Sequence, residues 1–265
     1  MKLPASLRWS LALAAAALFA AGAHAKVVTK TIEYQYAGQT MKGFLAYDDS
    51  KKARRPGVLV VHEWWGLNDY TKDRTRQVAH LGYVAFAPDM YGGGKTTRDP
   101  KEANAWSSAV GNVQGELARR AQAGLDVLLE QPQVDRKHVG AMGFCFGGST
   151  VLALAYSGAD LRGVVTFHGG LFPPDETQRT QIKAPIVILH GEKDPFVKPE
   201  TIAKVKEALD AGKVDWYMVT YANAVHAFTN PEADSFHIDG IGYNEKAATR
   251  SWDEMKRFFQ VQLGR

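Results

Sequence analysis

The 265-residue chain predicts an α/β protein: one mostly parallel sheet with helices on both faces, preceded by a β-hairpin. Three observations predict it. Short apolar runs alternate with helical stretches, and repeated β-α-β alternation implies parallel strands joined by crossover helices. Several runs, such as Gly57 to Val61, are apolar without alternation, as strands covered on both faces must be. Hydrophobic residues make up 45% and charged residues 23% of the chain, with the signs mixed, which is the composition of a globular domain with a sizeable core.

Taken in order, Val27 to Tyr36 and Met41 to Tyr47 read as the hairpin, and Gly57 to Val61 as the first buried strand. Tyr70 to Leu81 reads as a helix and Tyr83 to Ala87 as a second buried strand. A long helix follows, with Leu117, Ala121, Leu125 and Leu128 on one face and charges opposite. Val139 to Phe144 is a third strand, and the helix through Ser149 to Tyr156 opens just after it. Gly163 to Phe167 and Pro185 to His190 extend the sheet, the helix Glu200 to Ala211 follows, and Val214 to Tyr221 is the last strand. Asn244 to Leu263 closes the chain as an amphipathic helix. No repeat, low-complexity linker or composition break interrupts residues 26–265, which are read as one domain.

Residues 1–25 are read as a cleavable signal peptide. Lys2 and Arg8 precede the apolar run Leu11 to Ala21, and Ala23-His24-Ala25 offers small residues where a signal peptidase reads them. The run is about half the ~20 residues needed to span a bilayer. The mature chain is therefore expected to begin at Lys26 and to be periplasmic or secreted. Without Lys2 and Arg8 the formal charge falls from +4 to +2, too little to argue for nucleic acid or an anionic membrane surface. A small-molecule substrate and a monomeric chain are expected.

Functional groups of an open α/β sheet gather at the carboxyl ends of its strands. The residues just beyond the strands include His62, Glu63, Asp89, Cys145, His168, Asp194 and His226. Cys145 is the single cysteine, so it forms no internal disulfide. Free cysteines usually serve as small buried hydrophobes, but this one lies in Gly143-Phe144-Cys145-Phe146-Gly147, the G-x-nucleophile-x-G spacing of the α/β-hydrolase elbow. There the thiol projects above the sheet at a helix N-terminus, whose dipole favours thiolate, and the Phe146 N–H points toward an oxyanion. Asp194 in "HGEKDPFV" fits either a turn aspartate or a carboxylate that orients a histidine, and His226 in "YANAVHAF" either a packed ring or the base. His168 and His190 are further pocket candidates. No H-x-H or H-E-x-x-H spacing occurs, and "GGGKTT" at Gly92 to Thr97 lacks the first glycine of a phosphate loop, so no metal and no cofactor are expected.

Five segments carry a resemblance to a known family: "VHEWWGLN" from Val61, "PDMYGG" from Pro88, "MGFCFGG" from Met142, "HGEKDPFV" from His190 and "HAF" from His226. In these the mature chain resembles the dienelactone hydrolases, α/β-hydrolases with a cysteine nucleophile. The resemblance implies a Cys145–His226–Asp194 triad, Glu63 as an additional carboxylate that takes the thiol proton, and an oxyanion hole from the backbone N–H groups of Trp64 and Phe146. Trp65, Tyr91 and Phe228 are expected to line the substrate pocket with Trp64. The implied reaction is hydrolysis of a lactone or small ester through a thioester acyl-enzyme. A general ester or thioester hydrolase on the same scaffold, or a redox sensor or ligand-binding protein using Cys145 without turnover, are the alternatives. The chain departs from the family where two arginines grip a substrate carboxylate: those positions hold Gly93 and Asn230. Lys95, Arg98 or the Asn230 amide are the candidate substitutes.

Overall fold

The computed structural model describes residues 27–264, so the expected signal peptide lies outside the described residues. Strands β1 (Val27–Tyr36) and β2 (Gln39–Asp48) form the antiparallel hairpin. Their connection is Ala37-Gly38, both at positive φ, the backbone that matches the twist of the flanking strands. The chain continues through β3 (Arg55–Val61), α1 (Asp69–His80), β4 (Val84–Ala87), α2 (Pro100–Gly111), α3 (Glu116–Leu129), β5 (Val134–Phe144) and α4 (Phe146–Tyr156). It ends with β6 (Gly163–Phe167), α5 (Glu176–Gln181), β7 (Ile186–Gly191), α6 (Pro199–Ala211), β8 (Trp216–Tyr221) and α7 (Glu245–Leu263).

The eight strands lie in the order β1-β2-β4-β3-β5-β6-β7-β8. The β2–β4 pairing is antiparallel, and every pairing from β4 onward is parallel. Side chains of β3 alternate between two cores. Leu59 and Val61 pack with Leu125, Leu128, Val151 and Leu209 of α3, α4 and α6. Val58 and Val60 pack with Val78 of α1 and Met255, Phe258 and Phe259 of α7 on the other face. This is the expected layering, and it places the carboxyl ends of β3, β5, β7 and β8 along one rim.

The structure adds two helices to the expected set. Helix α2 has Asp99 as N-cap and Pro100 in its first turn, and α5 has a capping box between Asp175 and Gln178. Both caps are legible in the sequence. Their hydrophobic faces are short, with only Ala103 and Val110 buried in α2 and nothing buried in α5, so periodicity misses them. Helix α4 starts at Phe146, three residues earlier than expected and immediately after the cysteine.

Candidate active site

The turn at Cys145 is built by close backbone approach. Cys145 sits at φ 53°, ψ −115° between the end of β5 and the first residue of α4. A Cβ on Gly143 would stand 2.1 Å from the Gly147 carbonyl oxygen, and one on Gly147 would stand 2.2 Å from that of Val61. Neither backbone can yield without opening the turn, so both positions demand glycine. The Phe146 N–H lies in the first turn of α4, where amide groups have no acceptor inside the helix. Across the rim the Trp64 carbonyl accepts the Tyr91 hydroxyl at 3.1 Å, which fixes that peptide.

His226 and Asp194 come together from the loops after β8 and β7. The His226 Nδ1–H donates to Asp194 Oδ2 at 2.8 Å, and Asp194 Oδ1 accepts the Phe196 N–H at 2.9 Å. Both side chains are almost wholly buried. The His226 backbone is pinned on both sides, its N–H donating to the Gly240 carbonyl and its own carbonyl accepting from Gly242. With Nδ1 committed to the carboxylate, the remaining ring nitrogen is left for Cys145, which lines the same cavity and acts on the ring electrostatically. Burial pulls the imidazolium toward deprotonation, but Cys145 and Asp194 outweigh it together and raise His226 to about 10.

Glu63 follows β3 and is buried. Oε2 accepts the Asn230 side-chain amide at 2.7 Å, while Oε1 is buried without a partner. Burial pushes the carboxyl up to about 7, and the Asn230 hydrogen bond and the nearby His226 and Arg74 only partly oppose that rise. The rim thus holds a thiol, an imidazole with its carboxylate, and a second carboxyl that titrates near neutrality. Such an arrangement can run nucleophilic attack and proton transfer in one site.

A family model described as the dienelactone hydrolase family matches residues 41–263. The chain belongs to the dienelactone hydrolase family. Protein usf of Aquifex pyrophilus is 29% identical over 236 residues, covering 88% of this chain and 98% of that one. Two solved structures are closer in sequence. A dienelactone hydrolase-like promiscuous phosphotriesterase from metagenomic libraries is 39% identical, with a TM-score of 0.87 over 89% of this chain and 98% of its own. The structure titled m3DLH is 36% identical, with a TM-score of 0.87 over 89% and 99% of the two chains. The fold is the α/β-hydrolase fold, and the chain is a hydrolase acting on ester or lactone bonds.

Beside Cys145 and His226 this family member carries a cavity of about 460 Å³, walled by Trp64, Phe146, Phe196 and Ile241 with Asn104 and Ser107 as polar groups. Three expected wall residues lie elsewhere. Trp65 is buried with its ring stacked on Phe236 at 4.2 Å, and Tyr91 packs against His62 and Phe146 while holding the Trp64 carbonyl. Phe228 is fully buried between His168 and Tyr221. Each is close in sequence to a rim residue, and each turns its ring into the interior. Phe196 and Ile241 reach the cavity from the Asp194 loop and the segment that pins His226, contacts that no local pattern announces.

No lysine or arginine among the described residues lines the cavity. Lys95 lies over the Trp106 ring, and Arg98 pairs with Glu232 at 2.9 Å and covers Phe236. The Asn230 amide is spent on Glu63. Asp89, another rim residue, accepts four backbone N–H groups, from Lys42, Tyr91, Gly92 and Gly94, and so ties its loop to β2. His190 is buried outside the cavity lining, as is His168.

Proposed function

We propose that this chain hydrolyses uncharged lactones or small carboxylic esters through Cys145, His226 and Asp194, with a thioester acyl-enzyme, in an exported mature form. The observation that carries the reading is the buried His226–Asp194 hydrogen bond beside a cysteine set on a strained elbow. The Cys145 thiolate attacks the carbonyl carbon and forms the C–S bond, and the carbonyl oxygen takes the electron pair within reach of the Trp64 and Phe146 N–H groups. Each such donor typically contributes ~3–4 kcal/mol to the transition state. Collapse expels the alkoxide, which His226 protonates. A water then gives its proton to His226, attacks the thioester, and releases the acid and the Cys145 thiolate, which leaves His226 protonated for the next turnover and lets Glu63 return the proton it took. Asp194 holds the imidazole in the tautomer that serves both steps. Glu63, titrating near neutrality with one free oxygen, supplies the group that takes up the thiol proton. Rapid quenching during turnover of p-nitrophenyl acetate, followed by peptide mass measurement, should find the acyl group on the peptide carrying Cys145. An acyl group on a serine, or turnover with an unmodified Cys145 under conditions that trap the intermediate, would remove the thioester step.

The uncharged wall of the cavity sets the substrate class. An arginine fork grips a carboxylate through charge-assisted hydrogen bonds, each of which typically contributes ~1.5–3 kcal/mol, roughly one to two decades in rate or affinity. Gly93 and Asn230 offer no such fork. Neutral lactones and esters are therefore expected to be hydrolysed at least as fast as carboxylated dienelactones of similar size, with little effect of salt. A strong preference for the carboxylated substrate that salt weakens would place an anion site that this reading lacks. A neutral phosphotriester meets the same charge criterion, and it is the substrate class in the name of the 39% identical metagenomic protein.

Export rests on the sequence of residues 1–25. Intact mass of the purified protein from a periplasmic fraction is expected to correspond to a chain beginning at Lys26. The full-length mass in the cytosol would refute processing without touching the enzymatic reading.

A further inference from the structure

His168 directly follows β6 with φ 39°, in the left-handed region that few residues other than glycine adopt, and it is wholly buried. Both ring nitrogens are engaged. Nδ1 accepts the Cys145 N–H at 3.2 Å, an N–H shared with the Phe167 carbonyl at 3.0 Å, and Nε2 meets the Thr229 hydroxyl at 2.7 Å. An acceptor at Nδ1 places the proton on Nε2, so the ring is the neutral tautomer that donates to Thr229. Burial holds it neutral, and positive charge on His226 and Arg74 acts in the same direction.

Thr229 lies three residues after His226 on the same loop. Its hydroxyl also contacts the Tyr70 hydroxyl at 2.7 Å, and its carbonyl accepts Arg74 Nη2 at 2.7 Å, so the link continues into α1. The His168 ring stands edge-to-face against both His226, at 5.3 Å, and Phe228, at 5.1 Å. Asp194 and the Gly240–Gly242 segment fix His226 from the opposite direction. With both nitrogens occupied and no bond to a carboxylate, His168 is not placed to act as the base.

We propose that His168 is a positioning residue: its neutral imidazole joins the backbone of the Cys145 turn to the Thr229 hydroxyl and so sets the separation of thiol and His226. The inference rests on the proposed roles of Cys145 and His226. Misplacing a reacting group by about 1 Å can cost on the order of a hundredfold in rate, and the elbow alone does not determine where the His226 loop sits.

The test uses His168→Phe, Thr229→Val and the double variant of the mature protein. Three quantities are measured: kcat and KM on p-nitrophenyl acetate, the pH dependence of Cys145 alkylation by iodoacetamide, and the thermal midpoint. The charged or titratable groups that bear on the alkylation profile are His226, Asp194, Glu63, His190 and Arg74. Each single variant should lower kcat by about ten- to a hundredfold, change KM by less than about threefold, and alter the pH dependence of Cys145 alkylation from that of the wild type. The double variant should be little worse than the poorer single one, because the two substitutions break one link. A folded Thr229→Val protein with wild-type kcat and alkylation profile overturns the inference, whatever becomes of His168→Phe. Multiplicative losses in the double variant, or a lower thermal midpoint with an unmoved alkylation profile, overturn it as well by reducing His168 to packing. If His226→Ala leaves the wild-type alkylation profile unchanged, the thiol–imidazole reading itself falls and takes this one with it. That outcome appears before any His168 or Thr229 variant is made.

Discussion

Cys145→Ala is expected to lower kcat/KM on p-nitrophenyl acetate by at least ~10⁴-fold, and His226→Ala by nearly as much, since nucleophile and base act as a unit. The double variant should then be little worse than either. Unfolding does not account for such a loss. Alanine keeps the Cβ that Cys145 already has at φ 53°, and only the sulfur, which faces the cavity, is removed. A thermal midpoint within a few degrees of wild type is the check. Retention of more than about a tenth of the activity, a loss under ~1.4 kcal/mol, would exclude Cys145 as nucleophile. The alanine variant also removes the negative partner that helps hold the His226 proton. His226 is raised above its ordinary 6.5 to about 10 in the folded protein, so its contribution to stability is full below about 6.5 and is lost as pH rises through about 10. Cys145→Ala should reduce that contribution, and the difference between the two proteins should therefore shrink at alkaline pH.

What the sequence revealed and what it withheld follow from the range of the interactions involved. The buried strands were legible because both faces are covered, which leaves apolar runs such as Gly57 to Val61. The elbow was legible because the constraint is local: two glycines must sit two residues from the nucleophile, since backbone fills the space a Cβ would need. Asp194 and His226 were legible as strand-end residues, while their hydrogen bond belongs to the meeting of two loops 32 positions apart. The cavity wall was misread in part for the same reason. Trp65, Tyr91 and Phe228 are neighbours in sequence of rim residues, yet their rings are buried in the interior, and Phe196 and Ile241 line the cavity instead. The pairing of Asn230 with Glu63 spans 167 positions. Its one sequence signal was negative, an asparagine where the family carries an arginine, and that signal did not say what the amide would touch.

That pairing governs Glu63→Gln, which is expected to make the protein more stable and less active at once. The folded state raises the Glu63 pKa from 4.5 to about 7. Between those values the unfolded chain releases a proton that the folded chain keeps, so stability falls as pH rises through the window, and the cost is complete above about 7. The rise from 4.5 to about 7 corresponds to roughly 3 kcal/mol. Glutamine carries no charge to desolvate and can still accept the Asn230 amide. Relative to wild type, Glu63→Gln should therefore gain up to ~3 kcal/mol at about pH 8 and almost nothing near pH 4, where both states of the wild type hold the proton. For a chain of this size ~3 kcal/mol is on the order of 6–12 °C in thermal midpoint. Activity should fall by about 10²-fold or more, the usual contribution of a positioned proton acceptor. Destabilisation at about pH 8 would mean that Glu63 is ionised and held by a cation, with His226 and Arg74, whose charges oppose the effect of burial, as the candidates. Stabilisation without loss of activity would leave the carboxyl buried at a cost that the reaction does not use, and would remove Glu63 from the proton transfer proposed for it.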